Sequence, residues 1–114
     1  MDIQIANGIG RRLPREHVVT RMEHALQRAL GDAASARVAF TDVNGPKGGI
    51  DVRCTVLVHM PGHAPVTATR AGTTARLAFA ASYDAVIQQL DHVRARWEDA
   101  VRRPKKYYAA RRLL

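Results

Sequence analysis

Alternating apolar and polar positions define a β-hairpin near the centre of the chain. Val38 and Phe40 alternate with small or polar residues, and every second residue from Ile50 to Met60 is apolar. Such alternation is typical of strands with one buried face. Residues 44–49 between them are rich in Asn, Gly and Pro, which favour turns. The pattern therefore predicts two antiparallel strands joined by a glycine-rich loop.

Two shorter segments show the same alternation on either side of the hairpin. Residues 2–6 place Ile3 and Ile5 on one face, and residues 66–71 place Val66 and Ala68 inward. Glycines follow both segments, and Pro residues lead into the second one. We therefore expect four strands in total.

An apolar stripe at helical spacing predicts a first helix over residues 14–30. Pro14 suits the first turn, and Gly31 supplies a stop. The stripe consists of Val18, Met22, Ala25, Leu26 and Ala29. A basic stripe, interpreted as lying well away from the apolar one, consists of His17, Arg21, His24 and Arg28. Residues 32–36 are expected to be a connector.

A second and longer helix is predicted over residues 73–103. Thr73 or Thr74 can cap its start, and Pro104 ends it. Its apolar stripe consists of Phe79, Tyr83, Val86, Leu90, Val93 and Trp97. Because this is core spacing, the aromatic residues are interpreted as packing rather than base-stacking groups. A helix of this length spans roughly 45 Å, so its last turns should project beyond a small sheet.

These elements predict a two-layer α+β sandwich in the order β-α-β-β-β-α. A hairpin meander with two helices leaves one sheet face uncovered, so both helices should pack on the other face. The uncovered face would present Arg37, Thr41, Arg53, Thr55, Leu57, His59, Thr67 and Thr69. Residues 1–103 are predicted to form a single domain, and residues 104–114 a basic C-terminal tail.

The charge distribution favours a polyanionic partner. The formal net charge is +8, and residues 94–114 hold eight basic and two acidic groups. Such an excess on helical ends favours nucleic acid first and an anionic membrane surface second. The alternative is a basic tail that only aids solubility.

The segments Asp42-Val43-Asn44-Gly45 and Asp51-Val52-Arg53-Cys54 resemble short members of the ribosome hibernation-promoting factor family, also called ribosome-associated inhibitor A. The resemblance extends to about Arg103. It implies a β-α-β-β-β-α fold related to double-stranded RNA-binding domains. It also implies a protein of the small-subunit channel, lying over the tRNA and mRNA positions, that blocks translation and protects idle ribosomes during stress. Because the resemblance is to the short family form, the extra C-terminal domain of the long form is not expected here.

Charge placement and the family's use of basic helix surfaces suggest which residues contact ribosomal RNA. Lys47 at the hairpin tip is the weaker candidate. The full set of RNA-binding candidates is Arg21, Arg28, Lys47, Arg94, Arg96, Arg102, Arg103, Lys105 and Lys106. Arg96 and Arg103 are expected to share a helix face with His92.

Catalytic and metal-binding patterns do not appear in the sequence. No two of the five histidines belong to a recognisable Cys/His motif, and His17 and His24 lie about 10 Å apart on one predicted helix, too far for one ion. The glycine-rich loop joins two strands instead of opening a helix. The single cysteine, Cys54, lies on the inward phase of its strand and is interpreted as a buried structural thiol. We therefore expect a non-enzyme without cofactor or metal. With neither a membrane span nor a signal segment, a cytoplasmic location is the default expectation.

Two other functions fit the same pattern. One is a general module for double-stranded or structured RNA, which would use the same basic faces. The other is a protein–protein interaction or dimerisation domain that buries the outer sheet face or extends a sheet edge. Leu57, an apolar residue on the otherwise polar outer face, is the only support for the latter. The expected state is a monomer or weak dimer.

Overall fold

The structure is a computed structural model that describes residues 2–28, 34–43 and 51–102. The elements follow the predicted order. They are β1 (Asp2–Gly8), a 3-10 turn (Gly10–Arg12), α1 (Arg15–Arg28), β2 (Ser35–Asp42), β3 (Val52–His59), β4 (Val66–Gly72) and α2 (Ala75–Arg102). The predicted hairpin loop at residues 44–49 and the predicted boundary between domain and tail lie outside the described residues.

The four strands form one mixed sheet in the order β1-β2-β3-β4. β1 pairs parallel with β2 because α1 carries the chain back across the sheet, and the other pairs are antiparallel. Ile5 pairs with Val38, Val38 with Val56, and Val56 with Ala68. The inward residues of all four strands therefore lie in rows on one face.

Both helices cover this inward face, as predicted. Val18 and Met22 of α1 and Phe79 and Val86 of α2 are buried in the same core as the strand residues. The rings of Phe40 and Phe79 approach to 6.4 Å between centroids, which joins sheet and helix at the centre of the core. The opposite face presents exposed side chains, including those of Arg37, Thr41, Arg53, His59, Thr67 and Thr69.

β2 begins at Ser35, earlier than the sequence suggested. Residues 35 and 36 were expected to belong to a connector, and this prediction is wrong. Ser35 pairs with Asp2, and Ala36 is buried and pairs with Ile3. Pairing with the parallel strand β1 holds these two residues in the sheet, whereas serine and alanine have little intrinsic preference for β-strands.

Three features determine where α2 begins and how closely it packs on the sheet. Thr74 is the N-cap residue, because its Oγ1 accepts a hydrogen bond from the Leu77 N–H at 3.1 Å. A Cβ on Gly72 would lie 2.6 Å from the Ala78 backbone nitrogen, so glycine allows the first turn to approach the end of β4. Ser82 Oγ donates a buried hydrogen bond of 2.7 Å to the Cys54 carbonyl.

Cys54 is the buried structural thiol that the sequence predicted. Its side chain has no exposed surface. Burial raises the pKa of the thiol to about 12, against a smaller lowering by the hydrogen bond with Ser82. The thiol therefore stays protonated at neutral pH and is a poor nucleophile.

The last turns of α2 leave the core. Leu90 is buried and Val93 is half-buried, whereas Trp97 is 47% exposed. The prediction that Trp97 packs in the core is therefore wrong. The projection of these turns, predicted from helix length, agrees with their exposure. In the described part of the chain, no helix is long and apolar enough to cross a membrane.

Candidate nucleic-acid interface

One basic surface lies where α1 crosses α2, and we call it the helix seam. It consists of His17 and Arg21 of α1 with Arg76, Phe79 and Tyr83 of α2. The Arg21 guanidinium carbon lies 5.7 Å from the centroid of the Tyr83 ring, a cation–π contact. Arg76 Nη2 lies 3.1 Å from His17 Nδ1. The seam therefore holds two arginines of different helices on one surface.

His17 is part of the contact between the helices. Its ring meets Phe79 edge-on, with centroids 5.8 Å apart and an interplanar angle of 79°. The prediction that the whole basic stripe lies away from the apolar one is therefore wrong for His17, which is half-buried. The aromatic ring of Phe79 is wide enough to reach both the core and the imidazole.

The electrostatics of the seam keep His17 uncharged at neutral pH. Burial lowers the pKa of His17, and the positive charges of Arg76 and Arg21 lower it further. A neutral imidazole can accept a hydrogen bond at Nδ1 and arginine has only donors, so Arg76 Nη2 donates in the bond between them. Among the described residues, no carboxylate forms an ion pair with Arg21 or Arg76. Both guanidiniums are therefore available to an anion.

A second basic surface lies on the other flank of α2, and we call it the β4–α2 cleft. It encloses about 510 Å³. Its lining residues are Ala64, Pro65, Val66, Arg70, Ala85, Gln88, Gln89, His92, Val93 and Arg96. None of these is acidic. The described lining thus joins cations and amide groups of two elements.

Arg70 enters the cleft because of its position in the sheet. It pairs with inward-facing Cys54, so its side chain starts on the helix side of the edge strand β4. An arginine there avoids burial by extending along the surface beside α2. Its Nη1 donates to the Thr69 carbonyl at 2.8 Å, which uses one of its several N–H donors.

A shallower hollow of about 330 Å³ adjoins the cleft. Its lining residues are His63, Val93, Arg96 and Trp97, and we call it the Trp97 hollow. Arg96 and Val93 line both spaces. Arg96 therefore borders both the cleft and the hollow that contains the exposed indole.

The predicted arginines of α2 point to different flanks. At about 100° per residue, Arg94 and Arg96 lie about 160° apart around the axis. Arg94 lies on the same side as Arg76, and its Nε is 3.3 Å from Glu98 Oε1. Because both side chains of this pair are about half exposed, it contributes little to stability and does not bury the charge. Arg96 lines the cleft together with His92, as their spacing predicted.

The side chains of the other predicted site residues are not described. Arg28 and Arg102 fall within helices, but their side chains are not described, and Lys47, Arg103, Lys105 and Lys106 belong to undescribed segments. Sequence reasoning missed Arg70 and Arg76. The sequence did contain information about both. An arginine at an inward position of a strand indicates that the strand lies at the edge of the sheet, which applies to Arg70. Arg76 lies in the first turn of the predicted second helix.

Two further features of the described residues concern metal ligands and ion pairs. Among them, no group of three or more His, Cys, Asp or Glu residues could hold a metal ion. The ion pair of Arg12 Nη2 with Asp42 Oδ2, at 2.9 Å, links the 3-10 turn to the end of β2. This pair joins two segments of the scaffold, and Arg12 lines a pocket that also contains Arg76 of the helix seam.

Several solved structures are similar to this chain, among them the following two. The Protein Y N-terminal domain from Thermus thermophilus superposes with a TM-score of 0.62 at 16% identity, covering 82% of this chain and 99% of that one. A ribosomal subunit interface protein from Coxiella burnetii gives 0.58 at 18% identity, covering 83% and 99%. The chain has the fold of Protein Y.

The Protein Y fold confirms the predicted β-α-β-β-β-α architecture. One of the two similar proteins is named for the ribosomal subunit interface, and the shared fold agrees with the resemblance seen in the sequence. At these identities the likeness concerns the fold, and the site residues rest on the geometry above. No protein-family model matches the chain, and no curated protein sequence matches it significantly.

Proposed function

We propose that this protein binds the ribosome and blocks translation by occupying the tRNA and mRNA channel of the small subunit. The observation that carries the proposal is a fold shared, over four fifths of the chain, with a protein named for the ribosomal subunit interface. The mechanism is occupancy: basic helix surfaces bind ribosomal RNA phosphates, and the two-layer sandwich supplies the shape. The proposed place of action is the cytoplasm, and the proposed state is a monomer or weak dimer.

The charge arrangement supports this mechanism. Arginine presents a planar fork of donors to phosphate and remains charged at all physiological pH values. Arg21 and Arg76 on the helix seam and Arg96 in the β4–α2 cleft are exposed on two flanks of one rigid scaffold. A groove between RNA helices can receive both flanks at once, and shape and phosphate contacts dominate recognition of folded RNA. The remaining proposed contacts are Arg28, Lys47, Arg94, Arg102, Arg103, Lys105 and Lys106.

Co-sedimentation with purified small subunits tests the proposal. We expect the protein to pellet with small subunits, to be displaced by excess tRNA, and to be released as salt rises, since each phosphate contact adds to the salt dependence. Arg21→Glu combined with Arg96→Glu should weaken pelleting. The control pair is Arg37→Glu combined with Arg53→Glu, which reverses two charges on the outer sheet face. Binding that tRNA leaves unchanged would overturn occupancy of the channel.

Two further arms separate the alternative functions. An unrelated RNA duplex of matched length should compete poorly; equal competition would indicate a general structured-RNA module. Sedimentation without RNA should give a monomer or a weak dimer. A stable oligomer whose formation buries the outer sheet face, combined with no pelleting, would indicate an interaction domain instead.

A further inference from the structure

Trp97 is exposed at a position whose spacing belongs to the core stripe. Its side chain is 47% exposed on the part of α2 that extends past the sheet. It lines the Trp97 hollow with His63, Val93 and Arg96. A large indole left half in water loses much of the free energy that its burial would provide. This cost suggests that the indole face has a ligand.

The adjoining β4–α2 cleft is suited to an anion. Arg70 and Arg96 supply guanidinium donors, and Gln88 and His92 add further polar groups. Gln89 Nε2 donates to the Thr67 carbonyl at 3.0 Å, which fixes the wall formed by the edge strand. Among the residues whose side chains the structure describes, none that lines the cleft or the hollow is acidic, so these walls carry a positive charge.

The volume of the cleft and the position of Arg96 beside the hollow also agree with one type of ligand. The cleft volume of about 510 Å³ lies within the roughly 300–1,000 Å³ of small-molecule sites. Since Arg96 lines both spaces, a phosphate held by it would leave the attached base beside the indole. A phosphate beside an aromatic platform is the arrangement that proteins use to bind single-stranded nucleic acid.

We propose that the β4–α2 cleft and the Trp97 hollow together bind an unpaired nucleotide of an RNA strand. Arg96 and Arg70 bind its phosphate, and the base stacks on the indole of Trp97. The proposal deepens the function proposed above and rests on it for the identity of the polymer. It assigns the helix seam and the cleft different tasks, because Tyr83 in the seam is already covered by Arg21 whereas Trp97 is open.

An unpaired base is required because of the geometry of stacking. In an RNA duplex both faces of an internal base are covered by its neighbours, so the indole could reach only its edge. A base in a loop, a bulge or a mobile strand has a free face. The ligand is therefore the single-stranded part of a folded RNA or a free strand, and duplex RNA is excluded from the hollow.

Tryptophan fluorescence provides a direct test, because Trp97 is the only tryptophan in the chain. The full-length protein is titrated with a ten-nucleotide single-stranded RNA, the same strand annealed to its complement, and inorganic polyphosphate. We expect saturable quenching by the single strand and little quenching by the duplex or by polyphosphate. Equal quenching by polyphosphate, which has no bases, would overturn stacking. Quenching by adenosine monophosphate alone at similar concentration would show that the site binds a free nucleotide instead.

Variants assign the two roles, with affinity measured by anisotropy of labelled RNA. Trp97→Leu keeps an apolar side chain of helical preference but removes the aromatic face, and should weaken single-strand binding about tenfold. Trp97→Phe should restore most of the affinity. If Leu and Phe bind alike, the indole does not stack. Circular dichroism confirms that each variant keeps its fold.

Arg96→Gln should reduce the salt dependence of single-strand binding by about 0.7 in the log–log slope, the value of one phosphate contact. Arg37→Gln removes one exposed charge from the opposite sheet face and serves as the matched control. Equal effects of both variants would overturn a phosphate site in the cleft.

Ribosome pelleting without quenching would refute this inference alone, whereas quenching without pelleting would refute the function proposed above.

Discussion

The two halves of α2 carry the same apolar stripe but have different surroundings. In residues 75–90 the stripe packs on β3 and β4, and Phe79, Val86 and Leu90 are buried. In residues 91–98 it continues at the same spacing, yet Val93 is only half-buried and Trp97 is exposed. The first half is anchored on the sheet, and the second half overhangs it.

The difference shows that a stripe predicts burial only where another layer lies beneath it. An eight-residue strand spans roughly 26 Å, whereas the 28 residues of α2 span roughly 42 Å. The sequence pattern along a helix contains no information about the length of the sheet below. Apolar residues beyond the sheet edge are therefore open to a partner, and arginines beside them are free to bind it.

The largest expected effect contrasts one aromatic residue from each half. Phe79→Ala should lower the free energy of unfolding by about 3–5 kcal/mol, because it leaves a cavity in the core. Trp97→Ala should lower it by less than about 1 kcal/mol, since the indole is half exposed and surface changes cost little. Urea denaturation monitored by circular dichroism measures both. Similar losses for the two variants would show that the second half is anchored as well.

A matched pair of exposed alanines gives a smaller effect. Ala81 lies in the anchored half and Ala95 in the overhanging half, and both are exposed. Ala81→Gly should cost about 1 kcal/mol of global stability, the difference in helix propensity. Ala95→Gly should cost less globally, because the overhang can fray while the core stays folded. Amide hydrogen exchange should be faster near residue 95 in this variant. Uniformly slower exchange, or no change, would contradict the division of α2 into an anchored and an overhanging half.

The smallest expected effect concerns pH and the anchored half. Burial, Arg76 and Arg21 lower the pKa of His17 in the folded protein. Below the unfolded value of about 6.5 the unfolded chain takes up this proton more readily, so folded stability falls as pH decreases through that range. The free energy of unfolding should therefore drop more between about pH 7 and pH 5 in the native protein than in His17→Gln. Arg76→Gln should show an intermediate drop, and identical pH profiles would contradict the shift.

Most of the fold was predictable from the sequence because its signals are local. The alternation of apolar residues predicts β3, and the apolar stripe predicts α1. Because two helices can cover only one face of the sheet, the exposed outer face was predictable as well. The start of β2 was missed because Ser35 and Ala36 depend on pairing with β1, a contact distant in sequence.

The candidate site was less predictable because it depends on which helix and strand surfaces lie next to each other in the folded protein. Charge counting found Arg21 and Arg96, but Arg76 and Arg70 gain their roles from His17 and from the β4–α2 cleft. Spacing alone placed Trp97 in the core. The open indole follows only from where the sheet ends.

Salt dependence of small-subunit binding tests most directly whether the helix arginines bind RNA phosphates. Affinity is measured over a series of salt concentrations for the native protein and for Arg21→Gln, Arg96→Gln and Arg37→Gln. The first two variants should each reduce the log–log slope by roughly 0.7 to 0.9, the contribution of one phosphate contact, while Arg37→Gln leaves it unchanged. Slopes that are the same in all four proteins would contradict binding through these arginines.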